Sequence, residues 1–596
     1  MRSSSPASSN CAGVFLLAFL VMSGCYGTFG SDPDRDPGGD DDDSSSDDDD
    51  TGAAHDANLI ELQCLAEASN VTTTLGTSQT VQLHAAGVFD DGFSGEVDQV
   101  IWSILDNFGG GISGSGLYTT PLNHGGLVVI EALHEASEIS AQCVIEIVVE
   151  DVDNETEDPA LENPLHGLSP TVDDGCGPVL SYPLDGSILA RDLAPPEFMW
   201  TVPGASNITV MTVTTDYASI TVISADNSWT PDPAQWIVLT GSGSADNLTV
   251  RLVAGTWDIG TGAFSEPPCE ATSQHQLGMS AFGALGSVYY WNPSSSGLWV
   301  VGIGGSLAQP WLDQDNTNWC IGCHASNLSN PDVMAFNYGG GNGWAGVVNV
   351  ADPTNPVIGA ENREGNFFAL NPQGTRLVRS FHGVLYLDDI QSNVQVGTLP
   401  TSGYAVHPDW SPDGSAIVYS SCGNNQEDWQ VWNCAIHQLP VLSDGSFGAD
   451  QVLVPADADW NYYYPSYSPD SSWVAFNRHA GNSSSNHSYN NNGAEVMLVP
   501  SWGGAPTLLE SASLPGQGNS WPRWGPTQGS YSWLAFSSRR PYGHQTNGNS
   551  QVWISAIDLN LAVQGVDPSF PPLWLPGQEV QGSNHTPVWV PRTPGP

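Results

Sequence analysis

The chain is 596 residues long, sets 64 acidic against 12 basic side chains and has a formal charge of −52. Every base is an arginine, and a field of this sign repels DNA, RNA and anionic headgroups, which argues against nucleic-acid partners. A hydrophobic content of 40%, with 65 Gly, 43 Pro and 22 Trp, describes β domains with real cores joined by many turns, and no long stretch after residue 24 keeps a helical apolar period.

At the amino terminus Arg2 precedes the apolar run "AGVFLLAFLVM" and then "SGC", ending at Cys25. The run is too short to span a bilayer and has the shape of a signal h-region. "VMSGC" resembles a bacterial lipobox, with Met22 where Leu is commoner. The resemblance implies a signal peptide over 1–24, a lipid on Cys25 and attachment to a membrane through it. Tyr26 stands where sorted lipoproteins retained at the inner membrane carry Asp, so the expected destination is the outer membrane, facing the periplasm or the cell surface. Residues 25–56, with "SDPDRDPGGDDDDSSSDDDD", cannot bury a core and read as an acidic disordered tether.

Residues 57–152 alternate like the strands of a β-sandwich, as in "TVQLHAAGVFDDG" and "CVIEIVVED". Asp91-Gly92, Trp102 and "GLYTTP" at 116–121 resemble the group 2 bacterial immunoglobulin-like domain, which implies a spacer or adhesive sandwich with Trp102 in its core. An acidic linker is expected over 153–175. Residues 176–283 contain "APPEFMWTV", "ITVMTVTT", "AQWIVLTG" and "NLTVRLVAGTWD", which resemble a fibronectin type III-like sandwich, with Trp200 and Trp236 as core candidates.

The segment 284–596 repeats. "HPDWSPDGSAIVYSS", "YPSYSPDSSWVAFNR", "WPRWGPTQGSYSWLAFSS" and "TPVWVP" place Pro408, Pro465, Pro522 and Pro587 at intervals of 57, 57 and 65 residues. Each copy reads as a strand, a tight turn and a second strand, the beginning of a four-stranded blade. "WSPDGSAIVYSS" and "LAFSSRRPYG" resemble the propeller repeats of TolB-like proteins. Aligning "AFNY" at 335–338 with "AFNR" at 475–478 sets Ala325 against Pro465, so blade starts fall near 325, 368, 408, 465, 522 and 587. The last copy supplies one strand only, and "SVYYWN" and "GLWVVGIGG" from 287–305 are needed to complete it. The fold class expected is therefore all-β: two sandwiches followed by a six-bladed propeller closed by strands from both ends of its segment.

Leaving out Cys11 in the signal and the lipidated Cys25, eight cysteines remain. Cys64 with Cys143, Cys176 with Cys269 and Cys422 with Cys434 each lie within one proposed domain and are disulfide candidates in an exported chain. The last two thiols form "NWCIGCHASN". Cys-x-x-Cys-His is the attachment sequence of c-type haem: Cys320 and Cys323 would add to the porphyrin vinyls and His324 would be the proximal iron ligand. Composition alone yields roughly 0.004 such motifs in a chain of this length. A structural or redox disulfide between Cys320 and Cys323 remains the alternative, and zinc is weaker because no second pair completes a tetrahedral set. Met334 is a candidate distal ligand, followed by His382, His407 and Met279, and Trp311 and Trp319 are candidates for packing on the porphyrin.

Other signatures fail. "DQDNTN" at 313–318 lacks the Gly and terminal Glu of a calcium loop, "GGGNGWAG" has no Lys to serve phosphate, and neither Gly-x-Ser-x-Gly nor HExxH occurs. Two readings follow. One is a lipid-anchored monohaem electron carrier or haem-based sensor of the cell envelope. The other is a non-enzymatic surface scaffold that grips a protein or glycan on its propeller face.

Overall fold

In the computed structural model the described residues are 57–592, except 107, 157, 243–246, 361–362 and 546–547. The signal peptide, Cys25 and the tether lie outside them. No helix among the described residues is long and apolar enough to cross a membrane.

The first segment is a two-sheet sandwich. Strands Leu59–Ala66, Thr80–Phe89 and Leu117–Thr119 form one face, and Val100–Ile104, Gly126–His134 and Ile139–Asn154 belong to the other. Val81, Leu83 and Tyr118 from the first face meet Val128, Ile130, Ile145 and Ile147 from the second, which is the alternation that the sequence shows. The Cys64–Cys143 disulfide ties the two sheets. Trp102 is half-buried and packs against the edge of this core.

The acidic linker is not a free linker. Val149–Asn154 continues the last sandwich strand and pairs in parallel with Ala218–Ser224, so one 11-stranded sheet runs through both sandwiches. Leu161 is buried with Ile208, Val210, Ile223 and Trp257, and Thr171–Val172 pairs with Cys269–Glu270. Burying that leucine outweighs the solvation of the acids around it, and those acids find donors: the Trp229 indole N–H donates to Asp153 at 2.9 Å and the Gln235 amide to Asp151 at 3.0 Å.

"AQWIVLTG" is a helix, Pro233–Gly241, and not the strand expected. Asp232 and Gln235 form a reciprocal capping box and Pro233 occupies the first turn, a start signal that outranks the β propensity of Ile237 and Val238. Trp200 and Trp236 are buried, as expected.

From Ser287 onward six sheets follow, five of four strands and one of three. Their inner strands are Ile321–Asn327, Phe367–Leu370, Tyr404–Trp410, Trp460–Tyr467, Ser520–Gln528 and His585–Val590. These strands contact one another in ring order, and the last touches the first. The predicted closure holds: Ser287–Asn292 pairs with His585–Val590 on one side and Gly297–Gly302 on the other, so the last blade is completed by strands from both ends of the segment. Among the described residues the first blade has three strands, ending at Trp344–Asn349.

The second sandwich and the propeller share one apolar cluster that includes Trp200, Met211, Trp524, Trp553 and Trp574. Tyr182 carries the junction. Its ring meets Tyr542 edge-on at 4.9 Å, and its hydroxyl accepts from the Trp574 N–H at 3.0 Å. Tyr182→Ala should cost about 3–5 kcal/mol and shift one shared melting transition of sandwich and propeller downward. Calorimetry that resolves two independent transitions in the wild type would contradict the shared core.

Candidate functional site

The inner strand of five blades carries a bulge at the same place. Residues 323–324, 407–408, 464–465, 521–522 and 586–587 each set two residues against one on the neighbouring strand. In four of them the second residue is proline, which has no N–H to lose from the ladder. The residue before it adopts positive φ: 53° at His407, 51° at Tyr464, 60° at Trp521 and 49° at Thr586. The register corrects the sequence alignment by one residue: His324, not Ala325, stands at the proline position, and Cys323 stands where Tyr464 and Trp521 do.

The side chains so directed converge. Tyr464 and Trp521 stack at 3.6 Å, His407 meets Tyr464 at 4.2 Å and Phe367 at 4.5 Å, and Cys323 packs against the same group. Together they plug the middle of the ring. Above the plug opens a cavity of about 270 Å³ lined from all six blades, by Cys320, Cys323, Asn337, Phe367, Trp429, Tyr489, Trp521, Thr586 and Trp291 among others. No lining residue is charged.

Trp429 arrives from far away in the third blade. The hairpin of Ala416–Glu427 and Gln430–Pro440 is longer than its counterparts, is bridged by Cys422–Cys434, and turns over the cavity. Its tip is fastened by Asp428, which accepts from the Tyr404 hydroxyl at 2.5 Å, the Asn366 amide at 2.8 Å and the His382 N–H at 3.1 Å. Ser488 donates to the Trp429 carbonyl at 2.8 Å. Gly341 leaves room for the indole; a side chain there would run into it.

The cysteine expectations fall out unevenly. All three candidate disulfides are formed, and Cys320 and Cys323 are unpaired. Both thiols face the one cavity. Burial, with the nearby Cys320 and Asp428 adding to it, pushes the Cys323 thiol up to about 12. His324 lies in the adjoining recess with Pro587 and Val588, where its Nε2–H donates to the Tyr289 carbonyl at 3.3 Å and its Nδ1 is buried without a partner. Burial lowers its pKa to about 4, so the ring is neutral.

These residues meet the demands of covalent haem in part. Two free thiols on one aromatic cavity and a neutral imidazole are the right donors; the imidazole, however, is turned to a backbone carbonyl in a different recess from Cys320. Met334 is corrected: strand alternation sends it into the apolar wedge with Ile321, Phe336 and Val348, away from the cavity. Met279 belongs to the second sandwich core, His382 sits exposed on a turn, and His407 is part of the plug. Trp311 packs edge-on against Tyr289, and Trp319 is exposed on the rim; neither lines the cavity. Among the described residues no three His, Cys, Asp or Glu side chains are grouped to hold a metal ion. "DQDNTN" is a single capped turn, with Asp313 and Asn316 in a capping box.

Sequence reading missed Trp291, Asp428, Trp429 and Tyr489. The signal within reach was the residue preceding each repeated proline, whose identity (His, Tyr, Trp, Thr) varies while its position does not.

No protein-family model matches the chain, and no curated protein does. Among solved structures it is similar to TolB of Acinetobacter baumannii, at 14% identity over 58% of this chain and 80% of that one, with a TM-score of 0.36. A TolB-type protein of Agrobacterium tumefaciens follows at 16% identity, 51% and 97% coverage and a TM-score of 0.31. A chain of a nidogen/laminin complex follows at 11%, 51% and 99%, with 0.33. The strand pairing above makes the protein an all-β propeller, and TolB-like propellers are among the solved structures it is similar to.

Two outcomes test this geometry. In the native chain at pH 8, with both thiols reduced, iodoacetamide should modify Cys320 and leave Cys323 about a hundredfold slower, because so little of the latter is thiolate. Equal rates would contradict the buried thiol. Stability should fall as the pH drops from about 6.5 to 4. His324 and His585, both lowered to about 4 by burial, stay neutral in the fold while the unfolded chain takes up their protons. Asp409, raised to about 6 by burial, works the other way and offsets part of the loss. His324→Gln should flatten the pH dependence of the unfolding free energy, measured by urea denaturation, by at most about 1.4 kcal/mol per pH unit in that window.

Proposed function

We propose that this protein is a recognition propeller of the cell envelope, one that takes a ligand end-on into the aromatic cavity at the mouth of its ring. The observation that carries this reading is that all six blades contribute to one uncharged cavity lined by Trp521 and Phe367, with Tyr464 stacked on Trp521. Concave, mostly apolar pockets with a few placed polar groups are the usual form of a ligand site, and Asn337, Asn366 and Thr586 supply those groups here. The fused sandwiches act as a stiff stalk, and the lipid anchor expected at Cys25 would hold it at the membrane. A protein or glycan partner enters through whatever side chain or headgroup fits the cavity. On this reading the vicinal thiols are free or bridge each other without bearing on the ligand.

A second reading is favoured by one specific observation. In a chain whose other six described cysteines are paired, Cys320 and Cys323 alone are free, and they share one cavity wall. On that reading they hold haem c, with His324 turned from Tyr289 toward the iron, and the protein exchanges single electrons at the envelope. A haem stain on the denatured mature protein separates the two, since thioether attachment survives denaturation. Recognition predicts no stain and intact thiols or a Cys320–Cys323 bridge by peptide mapping. Stoichiometric stain, lost together in Cys320→Ser and Cys323→Ser, would replace recognition by the haem reading.

A further inference from the structure

The cavity carries a charge asymmetry that points to the class of ligand. Asp428 is 1% exposed, yet its three donors, a phenol, an amide and a backbone N–H, are all neutral. Among the described residues no Arg or His forms an ion pair with its carboxylate, and the His407 ring, which meets the Asp428 backbone, is kept neutral by its burial. Buried carboxylates are ordinarily balanced by a cation, because an isolated charge in a poorly solvated site is costly. Its neighbours Asn366 and Trp429 both line the cavity, so the carboxylate stands directly behind the wall. Glu427, next along the hairpin tip, accepts from the Asn342 amide at the same rim at 3.1 Å. The positive groups nearby are engaged elsewhere: Arg539 donates to Asn492 in a neighbouring recess, and Arg523 lies beneath the plug, donating to the Pro465 carbonyl.

The wall supplies the rest. Trp291, Trp429, Trp521, Tyr489 and Phe367 bring five aromatic side chains to the lining of one small volume, with no charged side chain among them. Such cages hold quaternary ammonium groups by cation–π attraction, which strengthens when the site is shielded from water. About 270 Å³ is near the small end of ligand sites, which suits a headgroup more than a drug-sized molecule. The chain's charge of −52 raises the local concentration of cations of every kind.

We propose that the axial cavity binds a small organic cation of the quaternary-ammonium class, with the aromatic wall as the cage and Asp428 as its counter-charge. This rests on the recognition reading, and the Trp429 hairpin then serves as both cover and source of charge.

The test uses the mature full-length chain and isothermal titration with choline, tetramethylammonium and 3,3-dimethylbutan-1-ol, the uncharged carbon isostere of choline. The two cations should bind saturably and at least about tenfold more tightly than the isostere. Asp428→Asn should remove about tenfold of cation affinity and leave the isostere unchanged, and Trp429→Leu should weaken both. Should either variant fail to fold, the comparison of choline with its isostere on the wild type decides alone. Equal binding of the two, or no cation binding by a haem-free protein, overturns the inference while leaving recognition of another ligand standing. A covalent haem in the absorption spectrum of the same sample overturns the recognition reading and this inference together.

Discussion

One extra residue in the inner strand of five blades is the constraint on which the centre of the molecule depends. A regular strand would alternate its side chains between the two wedges beside it and leave the axis empty. The bulge breaks that alternation, and where proline follows, the preceding residue is held at positive φ with its side chain toward the axis. A ring of His407, Tyr464 and Trp521, completed by Phe367, Cys323 and Thr586, results. It closes the middle of the propeller and turns the space above into a cavity with a floor. The first blade obeys the same rule with different residues, which is why a thiol faces the axis where its neighbours present aromatic rings.

The two sandwiches and the propeller are held together by pairing and packing. Parallel pairing of Val149–Asn154 with Ala218–Ser224 carries backbone hydrogen bonds across what would otherwise be a hinge. The shared cluster around Trp200 and Trp553 then fixes the second sandwich to the propeller. From Asn58 onward the chain is one compact unit, so the direction in which the cavity faces is set relative to the start of the first sandwich.

Charge and aromaticity divide the work of the site. Acidic side chains dominate the chain and all its bases are arginines, yet the cavity wall is neutral and aromatic. Asp428, close behind it, is buried at the tip of a hairpin bridged at Cys422–Cys434. On the proposed reading, an aromatic wall in front of that carboxylate would discriminate by charge as well as by shape, because each strengthens the other where water is excluded.

The repeated prolines, the tight turns and the period-2 apolar pattern were enough to give six blades, their inner strands and the closure by Ser287–Asn292, since each follows from local backbone chemistry repeated at a regular spacing. The same holds for the disulfide pairs, which are confined to single domains. The helix at Pro233–Gly241 was legible too, in its Asp-Pro-x-Gln start, but the β-branched residues within it mask that signal. What local chemistry could not reveal is where residues distant in sequence meet. Trp429, Tyr489 and Trp291 share a wall because three different blades bring them there, and Leu161 makes a structured joint of an acidic segment because a core lies within its reach. The Cys-x-x-Cys-His spacing named the chemistry that its residues permit, while the bulge and the Tyr289 carbonyl decided which way each one faces. Sequence specifies the strands and their turns because those depend on near neighbours; the ring specifies the site because a cavity exists only once all six blades have closed around it.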